Sequence, residues 1–352
     1  MSESTENYRR DLVEKLFPAG IPKLWCPPLT HYSSDGSIDK THIKLHLTHM
    51  APYVKTHLIP GSTGDGWELS EAEIKELLEF IVSEGSTQGI RFLVGVLRPD
   101  ADTARRDIIK TAEWLTDFTG TYDFEKAMAA SGVCGFNVCA SGGKYLSQKQ
   151  IKEQLAAILA LGYPTALYQI PQFTDNEIAP ETFSELADEF GNLYMWKDTS
   201  GNDTVSLSRV DTGGIFMVRG MEKDYSRWYK STPGGLYDGF LLGSANCFAH
   251  VYRKIIDLSD RGMHEEAQFM SDRVTRAVAA ALEKASGISF GNAFANSNKA
   301  FDHFFAYGCD ALKTPLPMTH SGNRLPEWMI KSAGMLLENE KLMPDHGYMQ
   351  QE

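Results

Sequence analysis

The chain has 352 residues, 42% of them hydrophobic and 23% charged, which is the composition of a globular protein long enough for one large domain or two ordinary ones. Its formal net charge of −12, with no dense Lys/Arg stripe, excludes a general nucleic-acid binder, because neutralising phosphates takes a basic face. Acidity of this kind serves solubility.

The opening "MSESTENYRR" is polar and lacks the apolar core of a signal peptide, and no later run reaches the length of a membrane span. These features predict a cytoplasmic protein with no membrane partner. The five cysteines (Cys26, Cys134, Cys139, Cys247 and Cys309) are odd in number, spread out and never in a CxxC pair, so neither a disulfide framework nor a zinc site is indicated. They read as reduced, mostly buried small hydrophobes.

Short β-like runs recur along the chain: "KLWCPPLT" (23–30), "THLIPGST" (56–63), "RFLVGVL" (91–97), "GFNVCA" (135–140), "TALYQIP" (165–171), "LYMWK" (193–197), "IFMVRG" (215–220) and "DGFLLGS" (238–244). Helical stretches lie between them. In "SEAEIKELLEFIVSEG", Ile74, Leu77, Leu78 and Ile81 fall at i, i+3, i+4 and i+7, and Ser70 with Glu73 forms a capping box. The stretch "FTGTYDFEK" (118–126) splits the third crossover and reads as a local insertion.

Eight strand–loop–helix units over about 260 residues predict an α/β fold, a (β/α)8 TIM barrel, where an open doubly wound sheet usually stops nearer five or six strands. After the barrel, "MHEEAQFMSDRVTRAVAAALEKA", "AFANSNKAFDHFFAYG" and "PEWMIKSAGMLLENEK" predict a C-terminal three-helix appendage. The expected division is 1–260 for the barrel and 261–352 for a helical region packed on it.

Barrel active sites lie where strands end, so the last residues of each run carry the functional information. Lys197 closes the sixth run, Tyr168 the fifth, and "GSTGDG" (61–66) follows the second. Side chains alternate along a strand, so Leu193, Met195 and Lys197 share one face while Tyr194 and Trp196 share the other. A lysine in the barrel mouth is partly desolvated, which favours the neutral amine, a nucleophile toward a ketone. Tyr168, one unit earlier, is placed to move protons at a group bonded to Lys197. Gly61, Ser62, Thr63 and Gly64 offer backbone N–H groups and two hydroxyls, a cradle suited to a carboxylate. Together these groups suit a small keto acid. Each also has a plainer reading: a lysine reaching solvent, a tyrosine packing in the core, a tight turn.

These stretches resemble the dihydrodipicolinate synthase / N-acetylneuraminate lyase family of class I, pyruvate-type aldolases. The resemblance runs from "CPPLT" through "GSTGDGWELSEAE", "LYQIP", "WKDTSGN" and "GGLYDGFLLGSANCF" to "KTPLP". It implies Lys197 as the Schiff-base lysine, Tyr168 as the proton-transferring tyrosine, and Ser62 and Thr63, beside Gly61, as the residues that bind the substrate carboxylate. Thr63 thereby joins the catalytic set. The resemblance further implies a homotetramer built from dimers, or a homodimer, with no metal or organic cofactor.

The chain departs from the family at two places. Phe173 stands where the lysine-biosynthetic synthases carry an arginine that holds the second substrate's carboxylate, which argues against an aspartate-semialdehyde substrate. Gly142 and Gly143, in "CASGGKYLSQ", align with the synthases' paired inter-subunit tyrosine, for which Tyr145 is the nearest substitute. "KDTSGN" is closer to the aldolases acting on 2-keto-3-deoxy or 4-hydroxy-2-oxo acids. Asp65, Trp67, Arg219 and Glu222 are loop-end candidates for shaping the distal half of the substrate pocket; Arg219 suits an acidic group, or else an ion pair with a neighbouring carboxylate. The functional expectation is an aldolase or lyase forming an enamine of pyruvate on Lys197. The alternatives are a Schiff-base dehydratase or hydratase of a keto-deoxy sugar acid, and a barrel kept for binding after losing its reaction.

Overall fold

The structure is a computed structural model and describes residues 3–350, without the side chains of 86–88. Eight strands form: β1 (Leu24–Trp25), β2 (Thr56–Ile59), β3 (Arg91–Val96), β4 (Val133–Cys139), β5 (Thr165–Gln169), β6 (Leu193–Asp198), β7 (Phe216–Arg219) and β8 (Gly239–Leu241). Each falls on one of the eight β-like runs. Their hydrogen-bonded order is β1-β8-β7-β6-β5-β4-β3-β2, and β1 and β2 meet through a parallel bridge between Cys26 and His57. The fold is the (β/α)8 TIM barrel.

The helices are α1 (Glu3–Leu16), α2 (Lys40–Met50), α3 (Glu71–Gln88), α4 (Ala101–Thr119), α5 (Phe124–Ser131), α6 (Gln148–Leu159), α7 (Pro171–Thr174), α8 (Pro180–Glu189), α9 (Thr204–Ser208), α10 (Tyr225–Trp228), α11 (Ala245–Asp260), α12 (His264–Ala285), α13 (Ala293–Tyr307) and α14 (Glu327–Asn339). α3 starts on the capping box read from Ser70 and Glu73. The insertion at 118–126 is the joint between two helices: α4 ends on Gly120 in the left-handed region, and Asp123 caps α5. The last three helices match the three C-terminal amphipathic stretches.

Two compact units divide the residues. One comprises Met1–Lys23, Ile90–Met221 and Leu236–Leu241; the other comprises Leu24–Gly89, Glu222–Gly235 and Leu242–Glu352. The position expected for a boundary, near residue 260, lies between α11 and α12, both within the second unit.

In the first unit, β3 to β7 form consecutive parallel ladders. The registers pair Cys139 with Tyr168, Tyr168 with Lys197, and Lys197 with Val218. Partners at one register point to one side of a sheet, so these four side chains share a face. On the other face Trp196 stands edge-on to Phe183 of α8, with centroids 4.8 Å apart.

Helix α1 was not anticipated from the sequence, where the N-terminus read only as polar. Its signal is the weak i, i+4, i+8 series Tyr8, Leu12, Leu16. The buried Arg9 gives it a purpose, donating to the carbonyls of Leu193 and Ala187 at 2.5 Å each, of Phe190 at 3.0 Å, and of Gly213. One guanidinium thereby ties α1 to carbonyls at the start of β6, at the end of α8 and in the turn before β7.

In the second unit α2, α3 and α10 to α14 accompany β1 and β2. Asn246, at the start of α11, receives the Leu29 N–H (2.9 Å) and donates to the carbonyls of Pro27 (2.8 Å) and Gly243 (2.7 Å). This single amide joins the "CPPLT" and "GSANC" motifs. Among the described residues, no helix is long and apolar enough to cross a membrane.

Candidate active site

Lys197 and Tyr168 come together in the first unit. Both are only 3% exposed, and Lys197 Nζ lies 3.7 Å from the centroid of the Tyr168 ring. The contact is with the ring face, a favourable arrangement for an amine in either charge state and strongest for the cation. Gly220, just past β7, makes room for the lysine. A Cβ there would stand 3.0 Å from Lys197 Cε and closer still to Thr199 Oγ1.

Behind this pair, on the opposite face, lies a buried polar network. Asp198 accepts from the Ser200 N–H (2.8 Å) and hydroxyl (2.6 Å), which shapes the "KDTSGN" turn. Burial pushes the Asp198 carboxyl up to about 6, against those two hydrogen bonds and with a further contribution from nearby Asp203. Asp203 takes both Nε and Nη2 of Arg219 at 2.9 Å and the Tyr237 hydroxyl at 2.6 Å. Register pairs Arg219 with Asp198, so its side chain leaves β7 on the face opposite Lys197. Arg219 therefore forms the ion pair that was one of its two sequence readings; Asp203, held in the left-handed region at the tip of the preceding turn, was not anticipated.

Phe173 sits half-buried in the single turn α7. Its loop is tied down by Gln169 Oε1, which accepts from the Ile178 N–H at 2.8 Å. It is also stapled to the glycine loop: the Gly143 N–H donates to the Thr174 carbonyl (2.8 Å), and Asn176 Nδ2 donates to the Ser141 carbonyl (2.7 Å). The Gly142–Gly143 loop thus runs beside Phe173. Tyr145 points away, 91% exposed.

The second unit holds the 61–66 loop. Ser62 to Gly64 form a 3-10 turn ending on Asp65 in the left-handed region. Ser62 and Thr63 are buried, and Ser62 Oγ accepts from Trp67 Nε1 at 2.9 Å. Glycine is required twice: a Cβ at Gly61 would stand 2.5 Å from Pro27 Cβ, and one at Gly64 would strike the Pro28 carbonyl. Asp65 anchors the loop by accepting from Lys299 Nζ (2.8 Å) and the Tyr32 hydroxyl (3.0 Å). Trp67 and Asp65 therefore brace the loop from within.

Glu222 belongs to the same unit. It accepts from the Ser244 N–H at 3.0 Å, from the Ser244 hydroxyl, and from the Tyr225 hydroxyl at 3.1 Å. Burial raises its carboxyl, and the Ser244 hydrogen bonds oppose that. Gly243 separates it from the loop: a Cβ there would lie 3.3 Å from Glu222 Oε1 and 2.5 Å from Thr63 Oγ1. Four of the five cysteines are buried, and Cys309 is exposed.

Residues 126–290 match the model of the dihydrodipicolinate synthetase family. Over 146 residues the chain is 26% identical to a 4-hydroxy-tetrahydrodipicolinate synthase of Clostridium tetani, a match covering 41% of this chain and spanning only 44% of that enzyme's length. The fold extends further. YagE, a prophage protein of that synthase family from E. coli K12 solved in complex with pyruvate, superposes with a TM-score of 0.66 at 17% identity, covering 91% of this chain and 98% of that one. A variant of 2-keto-3-deoxygluconate aldolase from Sulfolobus solfataricus superposes with a TM-score of 0.65 at 18% identity, covering 92% of this chain and all of that one. Over residues 126–290 this chain is thus similar to the dihydrodipicolinate synthetase family, and over nearly all of its length its fold is similar to that of these solved structures.

Proposed function

We propose that the protein is a class I aldolase or lyase that forms a Schiff base between Lys197 and a pyruvate-derived 2-keto acid of the 2-keto-3-deoxy or 4-hydroxy-2-oxo type. The observation that carries this reading is the buried Lys197 amine at the end of β6, against the Tyr168 ring at the same register of β5. The related proteins that hold pyruvate or are named as a 2-keto-3-deoxygluconate aldolase support the same chemistry.

The neutral amine attacks the ketone carbon, and loss of water leaves an iminium. That iminium is an electron sink for the bond between C3 and C4. Removing the proton of the 4-hydroxyl breaks the bond, releasing an aldehyde and leaving an enamine on Lys197. Protonation at C3 and hydrolysis return pyruvate and the free lysine. Tyr168 is the proton carrier in this scheme, and Ser62 and Thr63, beside Gly61, receive the carboxylate as the family resemblance implies. No step calls for a cofactor. Phe173 offers an apolar ring where the synthases grip a carboxylate, so the aldehyde half is less acidic than aspartate semialdehyde. The resemblance also favours a homotetramer or homodimer.

Borohydride reduction in the presence of pyruvate tests the reading. It should leave a stable adduct on the Lys197 peptide, absent from Lys197→Ala. A coupled screen of pyruvate release across keto-deoxy sugar acids and hydroxy-oxo acids then names the substrate. No adduct on Lys197, or condensation of aspartate semialdehyde faster than any cleavage, would overturn the assignment or its substrate half respectively.

A further inference from the structure

The second unit carries a cluster that the proposed chemistry does not use. His31 follows β1, His42 and His46 lie on α2, and Asp302 lies in α13. His31 Nε2 and His42 Nε2 stand 3.7 and 3.8 Å from Asp302 Oδ2, and His46 Nε2 stands 3.5 Å from Asp302 Oδ1. Among the described residues, His31, His42 and Asp302 each offer a ligand atom within 4.8 Å of the other two. All three line a cavity of about 210 Å³, which His42 borders from a half-buried position.

The charge of Asp302 is the feature that needs an explanation. Its side chain is buried, yet among the described residues the hydrogen bonds it receives come from one phenol, the Tyr348 hydroxyl, at 3.1 and 2.9 Å. Its ion-pair neighbours within 4.0 Å are histidines, and Lys299, one turn earlier on α13, is engaged with Asp65. A buried carboxylate without a permanent cation beside it is costly. Neutral rings at His31, His42 and His46 satisfy the hydrogen bonds these imidazoles make. The Asn246 carbonyl only accepts, so His46 carries its proton on Nε2 (3.1 Å) and accepts at Nδ1 from His31 (2.9 Å). Likewise the Tyr348 hydroxyl, donating to Asp302, accepts from His42 Nε2 (2.9 Å).

We propose that this cluster is a binding site for a divalent transition metal, with His31, His42 and Asp302 as ligands and zinc as the best-fitting ion. Two imidazole nitrogens and a carboxylate oxygen are a common zinc donor set, leaving a fourth position that faces the cavity. Ligand atoms at about 2.0–2.2 Å from a tetrahedral ion lie roughly 3.3–3.6 Å apart, so the histidine–carboxylate spacings need close by only a few tenths of an ångström. The His31 and His42 rings now stack, with centroids 3.7 Å apart and planes 7° apart. Coordination turns His42 out of that stack on its cavity side and moves the protons of both His31 and His42 from Nε2 to Nδ1, so the His31–His46 and His42–Tyr348 hydrogen bonds are exchanged for bonds to the metal. Tyr348 keeps its hydrogen bond to Asp302 and orients the carboxylate from behind the metal.

The test uses the full chain carrying Cys309→Ser, because the exposed thiol of Cys309 is itself a zinc ligand. Protein stripped with a chelator is titrated with zinc by calorimetry, and the dialysed complex is assayed for metal content. One zinc per chain is expected, with affinity at least about 100-fold weaker in His42→Ala and Asp302→Asn and about 10- to 100-fold weaker in Tyr348→Phe. His320→Ala, which removes a histidine outside the cluster, should bind as the parent does. His42 is half-buried, so its variant carries the test if Asp302→Asn does not fold. Failure of the parent to take up stoichiometric zinc, or equal affinity in His42→Ala, would overturn the site.

Discussion

Lys197 Nζ rests 3.7 Å above the centre of the Tyr168 ring, and the two residues are hydrogen-bond register partners on adjacent parallel strands. Register and face are thus set by the backbone, and the amine and the phenol ring share one buried layer. A lysine whose stem is held on both sides loses little further entropy when its nitrogen reacts.

If Tyr168 moves protons, Tyr168→Phe should keep the fold and lower the rate of pyruvate release by roughly 10² to 10⁴. Circular dichroism checks the fold, and steady-state turnover checks the loss. Turnover near that of the parent would assign the ring to packing alone.

Gly220→Ala tests the room left for the lysine. The added methyl would crowd Lys197 Cε, Thr199 Oγ1 and the Leu241 carbonyl, the last at 3.3 Å. Overpacking of this kind costs roughly 1–3 kcal/mol. A lower Tm together with slower borohydride trapping is expected; an unchanged trapping rate would show that the lysine position does not depend on this gap.

Arg219→Met separates the two readings of that arginine. It leaves Asp203 buried with only Tyr237 as its remaining side-chain donor among the contacts described, at a cost of roughly 3–5 kcal/mol. Chemical denaturation should show that loss, and the double variant Arg219→Met/Asp203→Asn should recover part of it. Unchanged stability with a raised KM for an acidic substrate would instead mean that Arg219 binds substrate.

Asp198 predicts a pH dependence. Its folded-state carboxyl, near 6, binds a proton that the unfolded chain, near the ordinary 3.8, has already released. The folded state therefore binds more protons between about pH 4 and 6, and stability from this group falls as pH rises through that window. The penalty is absent below pH 4 and complete above pH 6, amounting to about 3 kcal/mol at most for a shift of roughly two units. Asp198→Asn retains an acceptor for Ser200 and removes the titration. Unfolding free energies at pH 4, 5 and 7 should then fall less with rising pH in the variant than in the parent, and identical slopes would refute the prediction.

Local pattern was enough for the elements of the barrel. Alternation and apolar runs marked all eight strands, the i, i+3, i+4, i+7 series marked α3, amphipathic patterning marked the three C-terminal helices, and Ser70 with Glu73 marked where α3 begins, because each of these signals lies within a few residues of the chain. The same locality placed Lys197 and Tyr168 at strand ends. Helix α1 was missed because its packing face is short, and its principal anchor, Arg9, bonds to carbonyls about 180 or more residues away.

Tertiary structure decided the rest. Arg219 ends its strand as the sequence reading had it, but one residue of register puts Val218 beside Lys197 and turns Arg219 to the other face, toward Asp203. Asn246 links two motifs, Lys299 secures Asp65, and His31, His42 and Asp302 meet from positions 31, 42 and 302. The sequence by itself determined which segments become the eight strands and most of the helices after α1, and that Lys197 and Tyr168 stand at strand ends, since backbone propensity and side-chain alternation act over a few residues. Which charges meet, and on which face, was left to the folded chain, because contacts between residues hundreds of positions apart leave no periodic trace along it.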